Sequence, residues 1–181
     1  MPKREVVREE KSYTIMEDAN DMVKQLVAKY PKILWAVDPE QVVVLGITNK
    51  ERPKTMRKMA QIRRLTPQIR MLIYRLNGKY KYLVELYASD WVAWSNQRRQ
   101  WILVHELAHI PSPNEFGLVK HDCEDHTFIL SAAGLDWFNR DSLPELLSDN
   151  PYPFDEEIAN RRFIKGDDES GDGISRTEED D

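Results

Sequence analysis

The sequence predicts an α+β fold, and three observations carry that prediction. A helix-spaced apolar run opens the body of the chain at Asp18–Tyr30. Three β-rich segments follow within residues 41–87. Two helical stretches then begin near Ser95 and His121. An N-terminal helix, three strands and two helices in that order fit a small, partly antiparallel sheet covered by helices.

Each element has its own reason. Met22, Val23, Leu26, Val27 and Tyr30 recur at the 3.6-residue period, and Pro31 stops the helix. Gln41–Thr48 (QVVVLGIT) is β-branched and apolar, as a buried strand requires. Gln68–Leu76 (QIRMLIYRL) reads as a second strand, and Asn77-Gly78 as the hairpin turn after it. Tyr80, Tyr82, Val84 and Leu86 alternate with Lys79, Lys81, Leu83 and Glu85, giving a third strand, Lys79–Tyr87. The helix from Ser95 to Ile110 ends at Pro111 and Pro113, and a further helix from His121 to Ala133 ends at Gly134. Leu143–Leu147 and Pro151-Tyr152-Pro153 read as short helix and coil.

The charge is unevenly spread. The 181 residues carry a net charge of −5. Residues 165–181 hold eight acids and two bases, −6 in all, which leaves +1 for residues 1–164. That stretch has Ile174 as its single sizeable apolar residue, so it is expected to be a disordered acidic tail. Expected boundaries are therefore an N-terminal extension at 1–16, one domain at 17–164 and the tail at 165–181. Lys50–Arg70 is the basic counterpart: eight bases against Glu51 give +7, a possible weak contact for nucleic acid or, more simply, a solvated face.

Several classes are excluded. Cys123 is the single cysteine and cannot form an internal disulfide; it is expected as a small buried residue. No apolar run reaches the roughly 18 residues that span a bilayer, and the charged start MPKREVVREEKSY has no signal-peptide core. No phosphate-binding glycine loop and no solenoid repeat is present. A soluble cytoplasmic protein without membrane contact is the expectation.

The chemistry concentrates in one region. All four histidines, His105, His109, His121 and His126, fall within 22 residues. His105-Glu106-Leu107-Ala108-His109 is an H-E-x-x-H motif. On a helix the two histidines lie one turn apart on one face and can share a metal at about 2.0–2.1 Å. Glu106 is rotated by about 100° from His105, beside the metal rather than on it, where it can take a proton from a metal-bound water. A catalytic zinc needs a third protein ligand and an open position. His121, beyond a loop with Pro111, Pro113 and Gly117, is the preferred third ligand. His126 and the carboxylates Asp122, Glu124 and Asp125 are alternatives, and Asp125, four residues after His121, is a candidate to orient a ligand. Metzincin spacing is absent, because Ser112 and Glu115 stand where that pattern needs Gly and His.

The segment Trp91–Trp137, with HELAHI, KHDCEDHTFIL and AAGLDW, resembles the putative phage metallopeptidases, small zincin-like proteins of phages and prophages. His105, Glu106, His109, His121, Asp122, Asp125, Gly134 and Trp137 match that family's pattern, while His126 stands where it has phenylalanine. The resemblance extends over about residues 17–140. It implies a zincin-like domain, a zinc ion, a peptide or protein substrate and, for a phage-encoded chain, the host cytoplasm. The chain is more distantly similar to the SprT-like metalloproteases, although Asp122 replaces the glycine usual after their third histidine and the zinc-ribbon cysteines are missing.

The expected reading is a zinc metallopeptidase in which His105, His109 and His121 hold Zn2+ and Glu106 is the general base. The strand Lys79–Tyr87 is expected along the cleft, binding extended substrate by strand addition. Arg98, Tyr152 and His126 are candidate oxyanion donors. Two rivals stand beside it. One is a non-catalytic zinc-binding or DNA-associated phage protein, favoured if a fourth protein ligand closes the site. The other is a zinc hydrolase of a non-peptide amide or ester. The oligomeric state is not legible.

Overall fold

The computed structural model describes residues 12–48, 59–75, 78–121, 125–140 and 142–163. The basic residues 50–58, Cys123 and the acidic tail 165–181 lie outside these described residues.

The fold is α+β. Strand β1 (Ser12–Ile15) leads into helix α1 (Glu17–Lys29), and β2 (Val42–Thr48) follows. Next come β3 (Ala60–Arg64), α2 (Pro67–Arg75) and β4 (Tyr82–Tyr87). Helices α3 (Ala88–Ala93), α4 (Asn96–Ala108), α5 (Thr127–Ala133) and α6 (Glu156–Arg161) complete the chain. The sheet has four strands in the order β1-β2-β4-β3. β2 and β4 are parallel, and the two outer pairings are antiparallel.

Four sequence expectations change here. The sheet has four strands rather than three, because β1 and β3 join it. The segment 68–76 is not a strand: its described part is helix α2. Pro67 opens that helix, where its fixed φ and missing N–H are tolerated, and Thr66 Oγ1 accepts from the Ile69 N–H at 3.4 Å. Consequently Asn77-Gly78 cannot turn a hairpin between two strands; Asn77 itself lies outside the described residues. The antiparallel partner of β4 is instead β3, in register Ile62 with Val84. The whole excursion 66–80 is closed at its neck by the Leu65 N–H donating to the Lys81 carbonyl at 2.8 Å. Finally, α5 begins at Thr127 rather than at His121, so His121 precedes the helix.

The core explains the order. Val44, Val84 and Ile62 sit in register across three strands and are buried. α1 lays Ala19, Val23 and Leu26 inward, as its periodicity predicts, and Asn20 Oδ1 ties it to β2 by accepting from the Val44 N–H at 2.9 Å. α4 is the central helix. Its residues 100–104 and 106–108 are all buried, which is how a helix enclosed on every side reads. Gln100 Oε1 accepts from the Leu146 N–H at 2.7 Å, and Trp101 Nε1 donates to the Pro144 carbonyl at 2.8 Å. Tyr30 adds a hydrogen bond to the Leu146 carbonyl at 2.7 Å. These bonds hold residues 142–154 over the core. Among the described residues, no helix is long and apolar enough to cross a membrane.

Candidate metal centre

Helix α4 delivers the first groups. Ser95 caps its start, the side chain accepting from the Arg98 N–H at 3.3 Å. His105 lies in its last turn, and His109 is the residue at which it ends. The chain then turns back on itself. The Val119 N–H donates to the His109 carbonyl at 2.8 Å, and His109 Nδ1 meets the Val119 carbonyl at 2.6 Å. This double attachment brings His121 beside the helix end. One ring nitrogen each from His105, His109 and His121 lie within 4.8 Å of one another.

Two of these rings are oriented from behind. The Val119 carbonyl can only accept, so His109 carries its proton on Nδ1 and leaves Nε2 as the lone-pair nitrogen. His105 Nδ1 lies 2.8 Å from Asp125 Oδ1, which frees its Nε2 in the same way. Imidazoles backed by a carbonyl or carboxylate are what zinc sites use. Two rings so prepared, with His121 beside them, fit a divalent metal of the zinc type.

Asp125 is the hub. Its Oδ1 also accepts from the His126 N–H at 2.6 Å, and its Oδ2 accepts from Trp137 Nε1 at 2.8 Å. Burial pushes its carboxyl up, but the hydrogen bonds and charge of His105, with those of Trp137 and the His126 backbone, hold it well below the usual carboxylate range. His121 Nε2 is 3.9 Å from the same carboxylate. Asp125 therefore faces both histidines, although not through the shared helix face that their spacing suggested. Trp137 was matched in sequence only as part of a closing Gly-x-x-Trp. Its donor role becomes visible with Gly134, whose φ of +82° lets the chain leave α5 toward Trp137.

The titration of the imidazoles follows from these surroundings. Burial lowers His105, yet the Asp125 hydrogen bond and the charges of Glu106 and Asp125 outweigh it, and the net shift is upward. His109 is lowered to about 4, chiefly by burial and further by the neighbouring His105 and His121. His126 is lowered to about 2, again chiefly by burial, with His109, His105, His121 and Arg162 adding to it.

Glu106 is 6% exposed, and one of its oxygens accepts from the Ile62 N–H of β3 at 2.7 Å. A cavity of about 390 Å³ opens over the site. Its wall includes His105, Glu106, His109 and His121, with Ala60–Ile62 of β3 opposite and Ile102, Leu118, Trp137 and Phe138 supplying apolar surface. This corrects the expected cleft strand. Segment 79–87 contributes β4, which is interior to the sheet, and the outermost strand β3 borders the cavity. The Ile62 amide escaped sequence reasoning, since a backbone donor leaves no residue signature.

The candidate oxyanion donors do not gather at the cavity. Arg98 donates to the Arg140 carbonyl at 3.1 Å, Tyr152 Oη donates to the Ala132 carbonyl at 3.0 Å, and His126 is fully buried. Of the basic stretch, Arg63 pairs with Glu85 at 2.9 Å and Arg64 lies over the Phe116 ring at 5.4 Å.

Compared with known proteins, the chain matches a family model described as putative phage metallopeptidase over residues 11–148. No curated protein and no solved structure matches.

Proposed function

The chain belongs to the putative phage metallopeptidase family, and on that premise we propose that it is a zinc-dependent peptidase with His105, His109 and His121 as metal ligands and Glu106 as general base. One observation carries the reading: Glu106 shares a cavity wall with three histidines whose ligand nitrogens lie within 4.8 Å of one another. Zinc, when bound, acidifies a water and polarises the scissile carbonyl.

The protein's own residues do the rest. The Ile62 N–H fixes one Glu106 oxygen, and the carboxylate so held accepts the proton of the attacking water and later returns it to the leaving amine. Asp125 and the Val119 carbonyl hold two ligand rings in the required tautomer. The outer edge of β3 offers backbone groups to an extended peptide. Ile62 directs its amide away from β4, toward Glu106, so the cavity lies on the unpaired side of that strand. The apolar wall excludes water from the bond being cut.

The test is Glu106→Gln in the full chain. Zinc content should stay stoichiometric while hydrolysis of an unfolded protein substrate falls by about 10²–10⁴. Undiminished turnover would remove Glu106 from the mechanism. A second reading, a non-catalytic metal protein, is favoured by one observation: His126, fully buried, sits against the same rings. Under that reading the unmodified chain binds zinc and cleaves nothing.

A further inference from the structure

The cavity over the metal centre is walled mostly by apolar side chains. Besides the imidazoles, Glu106 and Asp125 are the charged side chains on its described wall. Both belong to the centre itself. Glu106 accepts from the Ile62 N–H, and Asp125 faces His105, Trp137 and the His126 N–H. A charged side chain entering here would lose its water and find no counter-ion outside the metal centre, which is unfavourable.

Apolar surface gathers beside His105. Ile102 lies three residues before His105 on α4, so the two share a helix face. The Trp137 ring centroid is 5.8 Å from that of His105. Its one polar atom, Nε1, donates to Asp125, and the rest of the ring is carbon. Phe138 meets Trp137 edge to face at 6.1 Å and is half-buried. At about 390 Å³ the cavity is at the lower end of the roughly 300–1,000 Å³ of ligand pockets. It has room for one large side chain with its backbone, not for a folded segment.

We propose that Ile102, Trp137 and Phe138 form a side-chain pocket beside the metal centre that takes a large apolar residue of an extended peptide. The inference rests on the peptidase reading of this site and adds its substrate class. The pocket adjoins His105, so the residue it holds flanks the bond that is cut. β3 borders the same cavity through Ala60–Ile62 and pairs with backbone, which is alike in every peptide. Selection therefore falls to the side-chain pocket. Large apolar residues are mostly buried in folded proteins, so the substrates are apolar segments of unfolded chains.

The test reads binding and cleavage separately. Zinc-loaded Glu106→Gln, full chain, is titrated with dye-labelled Gly-Ser peptides carrying one central Leu, Ala, Asp or Lys, followed by fluorescence anisotropy. The Leu peptide should bind about tenfold or more tighter than the Ala peptide, the discrimination an apolar pocket gives, and the Asp and Lys peptides no better than Ala. Cuts made by the unmodified chain in an unfolded protein, mapped by mass spectrometry, should fall beside Leu, Ile, Met or Phe. Phe138→Ala, added to Glu106→Gln, should erase most of the Leu advantage with zinc content unchanged. Equal binding of the four peptides overturns the proposal, as does a Leu advantage that survives Phe138→Ala. If that variant fails to fold, the peptide series decides alone. Selective binding with no cleavage by the unmodified chain defeats the peptidase reading and upholds the pocket. Cleavage indifferent to side chain defeats the pocket and upholds the peptidase.

Discussion

Asp125 gathers His105, the His126 backbone and Trp137 on its two oxygens, so its loss should be felt at the metal before it is felt in the fold. Asp125→Asn should weaken zinc binding by about 10–100-fold, measured by competition with a chelator, and Trp137→Phe should shift it less in the same direction. Equal affinity in both variants would dismiss the relay. Acid should act on the same residues. In the unfolded chain His109 and His126 take up protons near the ordinary value of about 6.5. Folded, burial withholds the proton from them until about 4 and about 2. Between those values the unfolded state binds more protons, so stability falls as pH falls. His105 is raised and works the other way, but two groups oppose one. Asp125, whose folded value is depressed, adds a further loss once the pH drops below the unfolded value of about 3.9. The metal-stripped protein should therefore melt lower at about pH 4.5 than at about pH 7.5, and a flat or rising Tm would contradict the assignment. At this scale the sequence was most readable. The spacing of His105 and His109, and the loop before His121, follow from side-chain geometry alone. The Ile62 amide and the Val119 carbonyl were unreadable because backbone groups are the same in every residue.

Among the elements, α4 was legible from end to end. Ser95 supplies its cap, the helix ends at Ala108 shortly before Pro111, and residues 100–104 and 106–108 are buried as a central helix requires. Ser95→Ala should lower stability by about 1 kcal/mol, seen in denaturant unfolding, with the metal site intact. Gly134→Ala should cost about 1–2 kcal/mol, because a left-handed φ of +82° disfavours any Cβ. A Cβ there would also displace Arg140 Nη2, at 2.7 Å. No change in either variant would show that these ends are held by packing instead. Two elements were not legible, for opposite reasons. β3 has only Ala60 and Ile62 facing the core, in a segment dominated by bases, so its strand signal is faint. α2 is rich in residues that favour strands, yet Ile69, Met71, Leu72 and Tyr74 are 44–76% exposed, so no core consumes them. The early Thr66-Pro67 pair was the signal that tells helix from strand. His121 was placed on a helix for want of any breaker before Thr127; the attachment of the loop to His109 fixes it instead.

For the molecule as a whole, metal and fold should be coupled. Stripping zinc with a chelator should abolish hydrolysis, and re-addition should restore it together with an increase in Tm. At a thousandfold excess over Kd the gain is about 4 kcal/mol, and a Tm indifferent to zinc would argue against a site built into the fold. The fold class was legible because the order of helix and strand runs survives errors in single elements. The strand order was not, since it depends on which edge β3 takes, and no local pattern encodes that. One feature of this topology has a practical side. The chain leaves the sheet after β3 and re-enters it at β4 through a neck only one backbone bond wide, Leu65 to Lys81. The described residues 66–75 and 78–80 hang from this neck as cargo does from a handle. The handle itself is an antiparallel pair whose ends are already at turn distance, so a short foreign turn or an entire inserted module can occupy 66–80 without asking the sheet to change. A reporter or an affinity tag placed there would travel at the Arg64 end of the strand whose Ala60–Ile62 end borders the cavity of the candidate metal centre.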